Sequence, residues 1–176
     1  SKANAALTGM GATRRILLSD TLLASYSDDE IEVILAHELA HHVHRDLWSA
    51  VAVEAALLVT GAYAAHVAIA VAGPSLGIAS AADVAGLPLL LLTAGALSLV
   101  LTPFARALSR RHERRADAFA LEMTKAPAAF ISAMKRLGAQ NLAEERPSTL
   151  TRLLFHSHPP LAERIERARL TANPAP

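Results

Sequence analysis

Cysteine is absent from the sequence, and aromatic residues are scarce. None of the 176 residues is cysteine, and Phe, Trp and Tyr together make up 4%. The first absence excludes a disulfide framework and any thiolate, whether as metal ligand or as nucleophile. A metal site in this chain would have to use histidine and carboxylate side chains. The formal net charge of +1, without a basic face interleaved with aromatics, gives no indication of a nucleic-acid partner.

Hydrophobic residues, by contrast, make up a large share of the chain. They account for 52% of it, and the mean hydropathy is +0.30. A soluble domain usually has roughly 45–50% even with glycine counted. Much of this content is alanine and leucine, which favour helices. The length suffices for one domain with a core, and the composition predicts a mainly α fold.

Local signals near the N-terminus predict a β-hairpin and then a helix. Residues 3–9 and 13–19 are typical of short extended segments, and the glycines between them allow a turn. Ser27 and Glu30 have the spacing of a capping box, in which the serine caps the helix and the glutamate bonds back to it. An apolar stripe at helical spacing follows and indicates an amphipathic helix.

Two long apolar segments dominate the middle of the chain. The first covers residues 47–72 and is interrupted only by Glu54 and His66, whereas the second covers residues 84–105 and has no charged residue. A transmembrane helix needs about 20 mostly apolar residues. Both segments therefore qualify, and together they predict a membrane-spanning helical hairpin. The alternative is a pair of buried helices in a soluble bundle.

These features divide the chain into consecutive parts of a single domain. We expect a β-hairpin region at 1–26, a helix at 27–46, the apolar helical hairpin at 47–105 and further helices at 106–176. Within the last part, a helix should begin near Pro127 and end at Gly138, because glycine is typical of a helix C-terminus.

The predicted capped helix carries an HExxH pattern, His37-Glu38-Leu39-Ala40-His41. Residues four apart lie one turn apart on the same face of a helix. The two imidazoles can therefore reach one zinc ion at about 2.0–2.1 Å. The glutamate next to the first ligand can act on a water molecule without binding the metal. The alternative is a pair of surface histidines.

Catalytic zinc takes three protein ligands and keeps one position open. The candidates for the third ligand are His42, His44, Asp46, Glu54, His66, Glu113, Asp117, His156 and His158. Glu113 and Asp117 are the better pair, since they are four apart on a helix and point the same way. One of them can bind zinc while the other orients a ligand imidazole. The alternative for this pair is a solvated, charged turn among arginines.

Helix lengths favour the same region. The stretch from His41 to Ala72 is about 46 Å long as a helix, and the stretch from Leu87 to Glu113 is about 39 Å long. If the two apolar segments form an antiparallel hairpin, the chain therefore returns to the face that it left. Glu113 would then lie beside the two histidines of the HExxH pattern.

Several segments resemble a known family, namely HELAHH, LSRRHERRADAFA, LLFHSHPPLAERI and, at the N-terminus, KANAALTGMGATRRILLSDTLL. They are similar to the integral-membrane zinc metallopeptidases of the CaaX prenyl endopeptidase type, and more distantly to the related heat-shock membrane protease. The similarity covers nearly the whole chain. It implies a zincin-like catalytic core with a short N-terminal β-hairpin and a long two-helix transmembrane hairpin between the zinc-ligand motifs.

The resemblance also implies roles for individual residues. Glu113 corresponds to the third zinc ligand, and Asp117 to the carboxylate that supports a ligand histidine. His158 and Arg164 correspond to residues that line the active site and act as donors to the substrate. An edge strand that pairs with the substrate backbone would contain Asn4, Ala5 and Ala6.

The sequence thus predicts a zinc-dependent endopeptidase with one zinc ion per chain and Glu38 as the general base. The expected partners are membrane lipid and a peptide or protein substrate at the membrane. CaaX-type enzymes carry additional transmembrane helices before the catalytic half, which this sequence does not include, so CaaX-type and other membrane substrates are both open. Arginines lie next to those ends of the apolar segments that adjoin the predicted zinc ligands. Because Lys and Arg concentrate on the cytoplasmic side of membrane proteins, we expect the site to face the cytoplasm. The alternatives are a non-proteolytic membrane scaffold or chaperone with a vestigial zinc site, and a soluble zinc peptidase.

Overall fold

The fold is mainly helical, with one small β-hairpin. The computed structural model describes residues 5–9, 11–140 and 147–173. In chain order, the strands and α-helices are β1 Ala5–Thr8, β2 Arg15–Leu18, α1 Asp20–Ser25, α2 Asp28–Val43, α3 Asp46–Ala72, α4 Leu87–Thr124, α5 Pro127–Gln140, α6 Thr149–Leu154 and α7 Leu161–Ala172. Short 3-10 turns lie at Gly11–Thr13, Pro74–Leu76 and Val84–Gly86.

The predicted N-terminal hairpin is confirmed. Strands β1 and β2 pair antiparallel, from Ala5 opposite Leu18 to Thr8 opposite Arg15. Both strands are shorter than the extended segments that the sequence indicated. Among the expected edge-strand residues, Ala5 and Ala6 lie in β1, whereas Asn4 lies outside the described residues.

The chain separates into two compact units, one made of residues 1–47 and 106–176 and the other of residues 48–105. We call the first the HExxH unit, because it carries that pattern, and the second the apolar unit. The core of the HExxH unit is formed by helices α1, α2, α4, α5 and α7, and its largest fully buried side chains are Leu22, Val33 and Phe130. This core fixes the helices that carry the HExxH pattern and Glu113.

The capping box at the start of α2 is confirmed in full. Ser27 Oγ accepts a hydrogen bond from the Glu30 backbone N–H at 3.3 Å, and Glu30 Oε2 accepts one from the Ser27 N–H at 2.8 Å. Glu30 Oε1 also accepts a 2.6 Å bond from the Ser132 hydroxyl on α5. The capping residue therefore joins α2 to the core as well as starting it.

The predicted 27–46 helix is interrupted before its expected end. Helix α2 stops at Val43 and α3 begins at Asp46. Between them, Arg45 has a φ of 57°, in the left-handed region. A non-glycine residue in this region ends a helix because the backbone cannot continue in the right-handed direction. The turn at Arg45 reverses Asp46 toward the end of α2.

The expected end of α5 at Gly138 is wrong, since the helix continues to Gln140. Gly138 is buried instead against α7. A Cβ added at this position would stand 2.5 Å from Leu161 Cδ2. The glycine is therefore explained by the close approach of two helices and not by a helix terminus.

Two helices of the described chain are long and apolar enough to cross a membrane. The span over residues 46–72 has a mean hydropathy of 1.9 with none of its apolar window buried, and the span over residues 84–124 has 2.2 with 6% buried. A core helix of a soluble domain would be mostly buried. Large apolar side chains such as Leu58, Leu92 and Phe104 are instead exposed.

Candidate metal centre

Helix α2 places two imidazoles side by side in the HExxH unit. His37 and His41 are one turn apart, and their Nε2 atoms are 3.3 Å from each other. The rings meet nearly edge to face, with 4.9 Å between centroids and an interplanar angle of 86°. Two nitrogen atoms so close must share a proton or a cation, because two neutral acceptors facing each other repel.

Glu113 on α4 completes a triangle of donor atoms. Its Oε2 lies 3.4 Å from His37 Nε2, and its Oε1 lies 3.5 Å from His41 Nε2. Tetrahedral coordination with metal–ligand bonds of about 2.0–2.2 Å separates the donor atoms by about 3.3–3.6 Å. Within the described part of the chain, this is the one group of three such side chains whose ligand atoms all lie within 4.8 Å of one another.

Two buried polar atoms at this centre, Glu113 Oε2 and His37 Nδ1, have no aligned hydrogen-bond partner among the described residues. His158 Nδ1 is 2.8 Å from Glu113 Oε2, and Asp117 Oδ1 is 3.0 Å from His37 Nδ1, but neither contact has the direction of a good N–H···O bond. An unsatisfied buried carboxylate oxygen is costly. A cation bound by Glu113 would remove that cost, so the residues fit a metal ion.

A buried ion pair stands behind His37. Arg164 on α7 donates from Nε to Asp117 Oδ2 at 2.8 Å and from Nη2 to Oδ1 at 2.5 Å. Asp117 in turn faces His37 Nδ1, the nitrogen turned away from the donor triangle. In this structure Arg164 therefore orients Asp117, and Asp117 orients the imidazole. A direct contact of Arg164 with substrate stays a prediction.

The other imidazole has a carboxylate partner that the sequence interpretation missed. His41 Nδ1 lies 2.9 Å from Asp46 Oδ2, and Arg115 donates to Asp46 Oδ1. The left-handed turn at Arg45 makes this contact possible five residues after the histidine. Asp46 appeared among the candidate ligands only. Its role could have been predicted from chemistry, because a metal-bound imidazole usually donates its second N–H to a carboxylate.

His158 and Glu38 flank the triangle. His158 follows α6, and 63% of its side chain is exposed although its Nδ1 touches Glu113. Glu38 is half-buried next to His37 on α2. The structure thus brings together seven of the ten residues singled out from the sequence, namely His37, Glu38, His41, Glu113, Asp117, His158 and Arg164.

Comparison with known proteins identifies the family. The sequence model of Peptidase family M48 matches residues 1–172. The chain belongs to peptidase family M48. This confirms the metallopeptidase resemblance at the level of the family.

Three individual proteins are similar to most of this chain. The chain is 33% identical over 174 residues to the uncharacterized metalloprotease YhfN of Bacillus subtilis (strain 168), covering 97% of the chain and 41% of YhfN. It is 28% identical over 187 residues to the protease HtpX homolog of Streptococcus gordonii, covering 94% of the chain and 63% of that protein. The crystal structure of S. mikatae Ste24p superposes with a TM-score of 0.77 at 25% identity, covering 94% of the chain and 41% of Ste24p. The chain spans less than two thirds of each.

Electrostatics at the M48 centre favour ionised carboxylates. Burial alone would raise the pKa of Glu113, but His158 and His37 hold that pKa well below its usual range. Burial likewise opposes ionisation of Asp117, yet the close contact with His37 and the charge of Arg164 lower its pKa. The two carboxylates therefore carry two negative charges at neutral pH, which suits a divalent cation.

The pKa of the buried imidazole of His37 is shifted upward. Burial by itself would lower the pKa of His37, but the adjacent carboxylates of Asp117 and Glu113 outweigh it and raise this pKa to about 9. A metal ion bound to His37 displaces this proton, because a ligating imidazole is neutral.

Burial raises the pKa of Glu38, against the lowering effect of His37 and His41. A glutamate with a raised pKa is a better proton acceptor near neutrality.

Proposed function

We propose that this M48 member is the catalytic part of a zinc-dependent endopeptidase that cleaves membrane-associated proteins or peptides. The observation that carries the proposal is the donor triangle of 3.3–3.5 Å sides, with Glu38 next to it on α2. Two imidazoles, one carboxylate and no thiolate form the ligand set of His₂Glu zinc peptidases. One zinc ion per chain would be held by His37, His41 and Glu113.

Different side chains of the protein have separate roles in the proposed hydrolysis. Zinc, when bound, supplies a Lewis acid that polarises the scissile carbonyl and acidifies water. Glu38 accepts the proton of the attacking water and returns it to the leaving amine. His158, exposed beside Glu113, donates to the oxygen of the scissile carbonyl as negative charge develops there. Asp117 and Asp46 keep the two imidazoles in the ligating orientation.

The N-terminal hairpin is proposed to hold the substrate backbone. The described sheet consists of β1 and β2 only, so β1 has an edge that no described strand covers. An extended peptide could add to this edge through main-chain hydrogen bonds. A cavity of about 240 Å³ lined by residues including Ala5, Ala6 and Leu18 lies on the hairpin. Asn4, Ala5 and Ala6 remain the proposed substrate-contact residues.

Chelation tests the proposed function directly. The detergent-purified protein should contain about one zinc per chain and cleave a fluorogenic peptide, since the site offers three protein ligands and an open position. Treatment with 1,10-phenanthroline should remove both zinc and cleavage, and added Zn²⁺ should restore both in parallel. Cleavage that persists in zinc-free protein would contradict the proposal, and so would a zinc-loaded protein that cleaves no peptide in a broad library.

We further propose that the apolar helices span the membrane with the metal centre on the cytoplasmic side. Arginines cluster after the second apolar segment, at Arg106, Arg110, Arg111, Arg114 and Arg115. The connection over residues 73–86 has no Lys or Arg and only Asp83 as a charged residue. Lys and Arg concentrate on the cytoplasmic side of membrane proteins, so this connection should lie on the opposite side.

Single cysteines in this cysteine-free chain test the orientation. Ser80 lies in the connection and Glu122 lies on α4 in the HExxH unit, and both are exposed. An impermeant thiol reagent added to intact cells should label Ser80→Cys and spare Glu122→Cys. Permeabilised cells provide the control, because both variants should then react. Labelling of Glu122→Cys alone in intact cells would reverse the orientation.

A further inference from the structure

Arg110 is a buried cation on α4, one turn before the proposed ligand Glu113. Only 5% of the residue is exposed. Its Nη1 donates two hydrogen bonds to main-chain carbonyl oxygens, at 2.9 Å to Arg152 and at 2.8 Å to His156. One acceptor lies in the last turn of α6, and the other lies two residues after the end of this helix. A single nitrogen of α4 therefore holds a segment more than forty residues further along the chain.

No carboxylate pairs with Arg110 among the residues that the structure describes. Burial and the neighbouring charges of Arg152, Arg114 and Arg106 lower its pKa, and Glu163 alone opposes them. Glu163 itself is bonded to Arg114 at 2.6 Å. Burying a guanidinium without a counter-charge is costly, so the carbonyl contacts are its main compensation in the structure.

The segment held by Arg110 has little apolar packing of its own. No residue of α6 is buried, and Leu150 and Phe155 are 67% and 72% exposed. Hydrophobic burial normally fixes a helix of this length, because isolated short helices are marginal in water. The hydrogen bonds from Arg110 thus take the place of a packed face at this segment.

The held segment leads directly to His158. Residue 156 accepts the bond from Arg110, and two residues later His158 Nδ1 contacts Glu113 Oε2 at 2.8 Å. On the far side of His158, α7 is fixed to α4 by the bidentate pair between Arg164 and Asp117. His158 therefore stands between two anchors, and Arg110 is the anchor on its N-terminal side.

We propose that Arg110 is a positioning residue that sets the location of His158 at the metal centre. Because residues 110 and 113 share one face of α4, the same helix turn presents the ligand carboxylate and fixes the segment that carries His158. A rigid spacing between the two follows from this arrangement. The proposal rests on the proposed function in so far as His158 acts in catalysis.

Kinetics provide the first test. Arg110→Met keeps the length of the side chain and removes both bonds. We expect kcat to fall about 10–100-fold with KM little changed, which is less than the about 10²–10³-fold cost of losing a transition-state donor outright. Zinc affinity should stay at the wild-type value. Arg110→Lys should recover much of kcat, since one ammonium nitrogen can also donate to two carbonyls. Arg111→Met, an exposed arginine on the same helix, is the matched control.

A double-mutant cycle separates positioning from general stability. In the His158→Ala background, Arg110→Met should lower kcat no further, because the residue through which Arg110 acts is gone. A purely structural role would instead give multiplicative losses, and that result would overturn the proposal. A loss of zinc in Arg110→Met that Arg110→Lys does not restore would also overturn it.

A spin label reports the segment without any reference to activity. Ser157→Cys, between His156 and His158, provides a single labelling site because the chain has no cysteine. Arg110→Met should increase the mobility of this label, and Arg111→Met should leave it unchanged. An unchanged label in Arg110→Met would overturn the positioning role. If wild-type protein cleaves no peptide, the proposed function fails while the mobility result still decides the role of Arg110.

Discussion

Replacement of Glu38 by glutamine is expected to abolish turnover while the protein keeps its metal and its fold. Glu38 adjoins His37 on α2 but lies outside the donor triangle, so its carboxylate is not needed to hold the ion. The amide is nearly isosteric and cannot accept a proton from water. General acid–base groups contribute about 10²–10⁴-fold, and kcat should fall by at least this factor. The measurements are kcat on a fluorogenic peptide and zinc content of the same sample.

Glu32→Gln is the matched control for this experiment. Glu32 lies on the same helix, is exposed, and undergoes the same chemical change. Its variant should retain wild-type kcat. A Glu38→Gln protein that cleaves at a rate near wild type would eliminate Glu38 as the general base. A Glu38→Gln protein that has lost its zinc would show instead that this carboxylate supports the ligands.

The parts of the fold that follow from local sequence were predicted well. The capping box at Ser27 and Glu30 uses contacts three residues apart, and the HExxH spacing uses one helical turn. The N-terminal hairpin and the two apolar helices also depend on short-range patterns. Signals of this kind are complete within a window of a few residues, so no knowledge of the tertiary structure is needed to interpret them.

The missed features depend on distant partners or on an uncommon backbone conformation. Glycine is typical of a helix terminus, but at position 138 it is needed because Leu161 of another helix packs against the backbone there. Asp46 reaches His41 only because Arg45 adopts a left-handed backbone conformation. An arginine side chain does not predict this conformation. Arg110 binds main-chain carbonyl oxygens, and every residue has one, so no sequence pattern marks its acceptors.

The proposed role of Arg164 shows the same limit. The family resemblance implied that Arg164 donates to the substrate, whereas in the structure its guanidinium is bonded to Asp117 behind His37. Both arrangements place an arginine near the centre, and the sequence cannot distinguish them. The distinction matters because an arginine that acts through Asp117 should change metal affinity when it is replaced, and one that contacts only substrate should not.

Replacement of the third ligand should have the largest effect on metal binding. Glu113→Ala removes one of three protein donors and should lower zinc affinity more than any change in the groups behind the histidines, which typically costs about 10–100-fold. Competition with a chelator of known affinity measures this directly. Glu122→Ala, an exposed glutamate on the same helix, should bind zinc like the wild type. If Glu113→Ala keeps full zinc while His158→Ala loses it, the ligand assignment is wrong.

The two supporting carboxylates should differ in a way that the structure specifies. Asp117→Asn and Asp46→Asn should each lower zinc affinity by about 10–100-fold, because each carboxylate orients one ligand imidazole. Their effects on the thermal midpoint should diverge. Asp117→Asn leaves the charge of Arg164 without a partner at 14% side-chain exposure, whereas Asp46→Asn leaves Arg115 at 44% exposure, where water can solvate it. A buried unpaired charge is the costlier of the two, so the midpoint of metal-free Asp117→Asn should be the lower one. Equal midpoints would show that Asp117 and Arg164 are not coupled as the structure indicates.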